Sequence, residues 1–263
     1  MKAVYLPREK AFLRYIEIPG DGPPLLWLHG WQCSSTAELL GAAVQPALKW
    51  RRSLLIDFLG HGYSDKPRDF EYTREAHART IVALIDTLQI DACTLVGHSM
   101  GGGVAIHVAA ARPDVVAALI LAEGSIDPGD EDPFGGMTEA EFVTAGFAEL
   151  IAAQTSEALA APEGIRAAHV EMTRLVEPLA LYREGLPSSR RTNPSTRSLL
   201  AALPIPRTYL VGELSDPEDL EADMASIGVG WNVVPRAGHP MALQNPAGFA
   251  DTIAAALAAQ AEI

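Results

Sequence analysis

The sequence predicts an α/β fold: a mostly parallel, eight-stranded sheet flanked by helices, with an inserted helical lid. Three observations predict it. Short, near-continuous aliphatic runs recur along the chain, as in strands covered on both faces. Helical patterns fall between them, the alternation that builds a parallel sheet with right-handed crossovers. One long segment in the second half breaks that rhythm and is rich in turn residues at both ends.

The elements follow in order. Residues 3–6 and 12–18 are expected as an antiparallel start, and residues 25–28, 53–56, 93–96, 117–121, 207–211 and 232–234 as the remaining strands. Residues 74–88 place Ala78, Ile81, Val82, Ile85 and Leu88 along one helical face. Residues 102–111 are small and apolar all round, which predicts a helix buried against the sheet. Asn245 and Pro246 open a final helix to residue 260, with Asn245 as cap and proline at the first helical position. Between core segments 1–126 and 204–263, residues 127–203 read as the lid. They begin with DPGDEDPFGG, and their interior carries two or more amphipathic helices. No internal repeat is present.

Composition excludes several functions. The chain has 263 residues and a formal net charge of −13, with no basic stripe, so nucleic acid is not an expected partner. The N-terminal stretch is charged and lacks the apolar core of a signal peptide. The longest aliphatic run, residues 115–122, is too short to cross a bilayer. The expectation is a cytoplasmic protein without a membrane partner. Cys33 and Cys93 are expected to be reduced and structural. No His, Cys and Asp cluster has metal-ligand spacing, so neither metal nor cofactor is expected. Oligomeric state is left open.

The chemistry concentrates in LVGHSMGGG, residues 95–103. An apolar strand runs into Gly97-His98-Ser99-Met100-Gly101, and a close-packed helix follows. A serine in so tight an elbow takes a strained backbone, and side chains two residues to either side would collide, hence the glycines. The elbow lifts the hydroxyl to the carboxyl edge of the sheet, above a helix N-terminus that stabilises developing negative charge. Such a serine needs an imidazole within reach. Of seven histidines, His239 follows the last strand in a short Ala-Gly turn, at the sheet end that carries ligand crevices. The others lie in loops, helices or the lid. Glu123 ends a buried strand, where a carboxylate is costly without a partner such as an imidazolium.

Four stretches occur in an order similar to that of the α/β-hydrolase superfamily: LLWLHGW (25–31), DFLGHGYSDKP (57–67), LVGHSMGGG (95–103) and PRAGHPMALQNP (235–246). The chain resembles its single-domain, serine esterase-like members with a helical lid. The resemblance implies an α/β-hydrolase fold with Ser99 as nucleophile and His239 as general base. It places the acid after either of two strands. The later one gives Asp216, which also suits a helix cap before Pro217, or Glu213, which abuts the strand. The earlier one gives Glu123, the preferred acid, with Asp216 as the alternative. It implies an oxyanion hole from the backbone N–H groups of Trp31 and Met100. Asp57 and Gly60 read as turn-forming. Phe142, Phe147, Met172 and Leu175, with Leu150 and Leu179, are lid residues, of which most should be lid core and the first four are expected to bind substrate.

The expected function is a serine hydrolase cleaving an ester, thioester or lactone of a small molecule with an apolar part, through an acyl-enzyme on Ser99. The same triad could serve C–C bond hydrolysis, elimination or acyl transfer. A hydrolase-like sensor with little turnover is the reading from another class.

Overall fold

A computed structural model describes residues 1–127, 129, 131–160, 164–216 and 220–260. Its sheet comprises β1 (Lys2–Leu6), β2 (Ala11–Ile18), β3 (Asp21–Leu28), β4 (Arg51–Asp57), β5 (Cys93–His98), β6 (Val116–Ala122), β7 (Arg207–Gly212) and β8 (Gly230–Val234). The eight strands lie in the order β1-β2-β4-β3-β5-β6-β7-β8. β1 pairs β2, and β2 pairs β4, antiparallel; from β4 across to β8 every pairing is parallel. Strand placement follows the sequence reading, with ends one to four residues longer because ladder pairing extends past the apolar runs.

Those runs are continuous because both faces of the sheet are covered. Leu26 and Leu28 on β3 face one core with Ile81, Leu84 and Ile85, while Leu25 and Trp27 face the other with Phe249 and Ile253. Alternate residues of one strand thus serve two cores. The first half of the chain supplies α1 (Ser35–Glu38), α2 (Leu40–Ala43), α3 (Arg74–Thr87) and α4 (Met100–Ala111). α3 and α4 cover one face and α2 lies on the other. From Gly101 to Ala109 every residue of α4 is buried, as its small apolar composition requires.

Between β6 and β7 the chain forms α5 (Glu139–Glu141), α6 (Phe147–Ala160), α7 (Gly164–Arg174), α8 (Pro178–Gly185), α9 (Pro187–Arg190) and α10 (Thr196–Ala202). This segment is pinned over the loops at the carboxyl ends of the strands. The Glu177 backbone N–H donates to the Gly60 carbonyl at 2.8 Å. The Trp31 indole donates to the Leu181 carbonyl at 3.2 Å. Gln32 Oε1 accepts from Gln154 on α6 and from His169 and Thr173 on α7, at 2.7, 3.2 and 3.3 Å. The remaining helices are α11 (Leu220–Ser226), α12 (Met241–Gln244) and α13 (Pro246–Gln260). Asn245 caps α13 by accepting from the Gly248 N–H at 3.0 Å. Cys33 and Cys93 are buried and free. Among the described residues no helix is long and apolar enough to cross a membrane.

Candidate active site

Four loops meet at the carboxyl ends of β3, β5, β6 and β8. At the end of β5 the elbow turns directly into α4. Ser99 has φ 51° and ψ −118°, a positive-φ conformation that costs a non-glycine residue free energy and persists only when its surroundings enforce it. They do. A Cβ on Gly97 would stand 2.6 Å from the Gly101 carbonyl oxygen, and one on Gly101 would stand 2.6 Å from that of His29. Both obstacles are backbone and cannot swing aside. The Ser99 N–H donates to the Ala122 carbonyl at 3.0 Å, and its carbonyl accepts from Ser125 N–H at 2.8 Å. The serine is therefore locked between neighbouring strand ends. Met100 begins α4, where the first N–H groups have no intrahelical acceptor. Trp31 sits across from it, in the loop after β3.

His239 projects from the loop after β8, and its Nδ1 lies 2.6 Å from Glu123 Oε2. Glu123 itself stands just past β6 with φ 41°, a second strained residue. Its other oxygen accepts from the Gly212 N–H at 2.9 Å. Burial alone would raise this carboxyl. Hydrogen bonds from His239, Ser215 and the Gly212 N–H, and the charge of the imidazolium, outweigh burial and hold it at about 2. Ser99 and His239 line the same cavity, of about 430 Å³, with Trp31, Cys33 and His169 among its other walls. The hydroxyl and the imidazole face that shared space without a direct hydrogen bond, a separation common before substrate arrives.

The other two acid candidates stand apart from the imidazole. Glu213 accepts from the Arg236 backbone N–H at 2.6 Å, and Asp216 is exposed. Pro217, the first helical residue expected after Asp216, lies outside the described residues. Ser215 occupies the place where an acid would follow β7, and it supports Glu123 instead.

None of the four apolar residues expected against the substrate lines either of the two cavities that Ser99 lines. Phe142 is buried and packs its ring 4.6 Å from that of Phe134. Met172 is buried, Phe147 lines an open hollow that Ser99 does not line, and Leu175 is exposed. The reason is that a helical segment must first bury its own apolar stripe. Leu150 and Leu179 serve the same core. The walls near Ser99 are built instead by Trp31, Gln154, Ile165, His169 and Val170.

Several neighbours carried no legible signal. His98, the variable residue of the elbow, donates from Nε2 to the His239 carbonyl at 2.9 Å and places Nδ1 2.7 Å from buried Glu38 Oε1. Burial works against its charge, but Glu38 prevails and raises the imidazole. Glu38 in turn is held at about 2: burial raises it, and His98 with the Gly30 N–H more than compensates. His98 thus ties the His239 loop to the elbow. His29, His61 and His77 are buried core histidines, the first two bonded through both ring nitrogens and His77 through Nε2 alone, its Nδ1 having no partner among the described residues. Phe58 N–H donates to His29 Nε2 at 3.1 Å, while His61 and His77 share the buried Glu184 carboxyl at 2.8–3.0 Å. Asp57 accepts from Tyr63 N–H at 3.0 Å and Gly60 has φ 87°, both as turn residues do. Among the described residues no cluster of His, Cys, Asp and Glu could hold a metal ion.

The chain is similar to known proteins in sequence and fold. The 2-hydroxymuconate semialdehyde hydrolase of Pseudomonas sp. strain CF600 is 40% identical over 103 residues, which are 39% of this chain and 36% of that one. The match therefore spans about a third of that relative. A thermophilic esterase from Thermogutta terrifontis superposes with a TM-score of 0.83 at 22% identity, covering 98% of this chain and 99% of its own. The enol-lactonase from Burkholderia xenovorans LB400 gives 0.80 at 18%, covering 98% and 100%. At such identities the two structures establish a shared fold. The sequence profile of the alpha/beta hydrolase family matches residues 25–252. With most of its length inside that profile, the chain belongs to the alpha/beta hydrolase family.

Proposed function

We propose that the protein is a serine hydrolase that cleaves a carboxylic ester, thioester or lactone through an acyl-enzyme on Ser99. The observation that carries this reading is the 2.6 Å pair of His239 Nδ1 and Glu123, on a cavity that also holds the strained Ser99. Glu123 fixes the tautomer that leaves Nε2 able to take a proton. Ser99 Oγ attacks the acyl carbonyl and passes its proton to His239 Nε2. The N–H groups of Met100 and Trp31 hold the oxyanion. The tetrahedral intermediate collapses as the imidazolium returns the proton to the leaving oxygen or sulfur. Water, deprotonated by the same imidazole, then releases the acid and frees Ser99. The helices within residues 127–203 act as the lid over this chemistry, and the substrate is a small molecule with an apolar part.

C–C bond hydrolysis by the same triad is the second reading, favoured by the 40% identity to the semialdehyde hydrolase. A sensor that reacts once and holds its acyl group differs from both by stoichiometry. With p-nitrophenyl acetate the account expects many equivalents of p-nitrophenol per protein, and none above background from Ser99→Ala. One equivalent and no more would favour the sensor. Unchanged turnover in Ser99→Ala would refute the acyl-enzyme.

A further inference from the structure

A second cavity, of about 300 Å³, also opens onto Ser99 and Met100, and two arginines line it: Arg190, which donates to the carbonyls of Gly185, Leu186 and Glu131, and the more deeply buried Arg74. Arg74, in the first turn of α3, is only 4% exposed. Its three hydrogen bonds all leave from Nη1, at 3.1 Å to Thr196 Oγ1 and at 3.3 and 3.4 Å to the carbonyls of Arg190 and Ile126. Nε is buried without an acceptor. Nη2 has no protein acceptor, and no carboxylate stands at ion-pair distance, among the described residues. Burial, with Arg190 nearby, pulls the guanidinium down to about 10, against weaker opposition from Glu75 and Asp127. A guanidinium taken out of water without a partner anion is unfavourable unless a ligand completes it.

The two carboxyl groups on this cavity do not supply that anion. Glu184 is engaged by His61 and His77, and Glu131 lies at the exposed rim. The protein's net charge of −13 gives a dissolved anion no general attraction, so recognition must be local. The two cavities also divide the reaction. His239 lines the larger one and not the smaller. An acid that protonates the leaving group must face it, so the leaving group belongs in the larger cavity and the acyl group in the smaller. Arg74 packs against Gly103, where a Cβ would stand 2.9 Å from Nε. Gly103 is one helical turn, ~6 Å, beyond Ser99 along α4.

We propose that the smaller cavity is an acid-end subsite: the substrate's acyl chain ends in a carboxylate that Arg74 holds through Nη2, with Ser125 lining the same cavity, while Ser99 attacks the ester carbonyl at the other end. This rests on the hydrolase reading above. The substrate class is then a monoester or lactone of a short dicarboxylic acid. The carboxylate is bound and not transformed, so the bonds made and broken remain those at the ester carbon.

The test compares p-nitrophenyl monoesters of succinic, glutaric and adipic acid with neutral p-nitrophenyl esters of matched chain length. At least one monoester should exceed its neutral counterpart about tenfold or more in kcat/KM, the scale of a charge-assisted hydrogen bond. Arg74→Gln should cut that ratio at least about tenfold, and Arg74→Lys should restore part of it. With the unaltered protein, free glutarate should inhibit neutral-ester hydrolysis competitively and dimethyl glutarate should not, which tests the subsite without a variant. Turnover of neutral esters with no monoester preference, or a preference that survives Arg74→Gln, would overturn the subsite and leave the hydrolase intact. No turnover of any ester would overturn both.

Discussion

Replacing Glu123 by glutamine removes one charge from the imidazole and changes little in volume. Its carboxyl is held at about 2 where an ordinary glutamate lies near 4.5. At ~1.36 kcal/mol per pH unit, that difference of about 2.5 corresponds to at most roughly 3 kcal/mol in favour of the ionised site. Part of it comes from Ser215 and the Gly212 N–H, and solvent reaches His239, whose side chain is 53% exposed, so about 2 kcal/mol is the better figure for the hydrogen bond and charge shared with His239. That alone is a factor of about 30 in rate. Glutamine can also present its amide N–H₂ to Nδ1 and favour the wrong tautomer, a fault that costs roughly 10⁴ in kcat in the serine protease triad. Glu123→Gln should therefore lower kcat for p-nitrophenyl acetate by about 10²–10⁴, with KM changed far less. Asp216→Asn should stay within about threefold, because an exposed surface carboxylate contributes little. A Glu123→Gln protein with near-normal kcat, beside an Asp216→Asn protein that has lost it, would refute this assignment and move the acid to the loop after β7.

Other consequences are equally direct. Gly101→Ala forces a Cβ into backbone carbonyls and should destabilise the fold by about 2–3 kcal/mol, read as a lower urea midpoint; an unchanged midpoint would mean the elbow is looser than described. Burial lowers both His29 and His61 to about 4, so between about pH 4 and 6.5 the unfolded chain binds more protons than the folded one, and stability rises with pH. Glu184 and Asp57, raised by burial, and His98, raised by Glu38, oppose this, while His77, His107 and His169, all lowered by burial, add to it. Thermal melts should therefore show Tm climbing from pH 4 to 6.5, and a flat or falling profile would contradict the buried neutral histidines. Gln32→Ala removes one acceptor shared by Gln154, His169 and Thr173, so proteolysis should cut α6 and α7 faster while the rest of the chain stays resistant.

How much of this was legible in the sequence depended on whether the cause is local. Strands such as β5 and β6 announce themselves because burial on both faces demands aliphatics without interruption. The elbow is legible because Gly97 answers a collision within five residues, although Gly101 answers one with the distant Leu28 and His29 carbonyls. Glu123 was legible as a carboxylate stranded at the end of an apolar strand. Arg74 was not: in the first turn of an amphipathic helix it reads as a surface residue, and only the packing of α4 and α10 encloses it. Glu38 and His98 escaped for the same reason, since their pairing joins segments 60 residues apart. The expected substrate-facing residues do not line the cavities at Ser99, because periodicity identifies the apolar stripe of a helix and not which neighbour receives it. Phe142 went to Phe134 and Tyr182.

The central claim is that Ser99 is a nucleophile activated by His239. Intact-protein and peptide mass spectrometry after treatment with a fluorophosphonate addresses it directly. A single adduct on the peptide carrying Ser99, absent from Ser99→Ala and formed far more slowly by His239→Ala, is the predicted result. A protein that stays unlabelled, or one that carries the adduct on another residue, would contradict it.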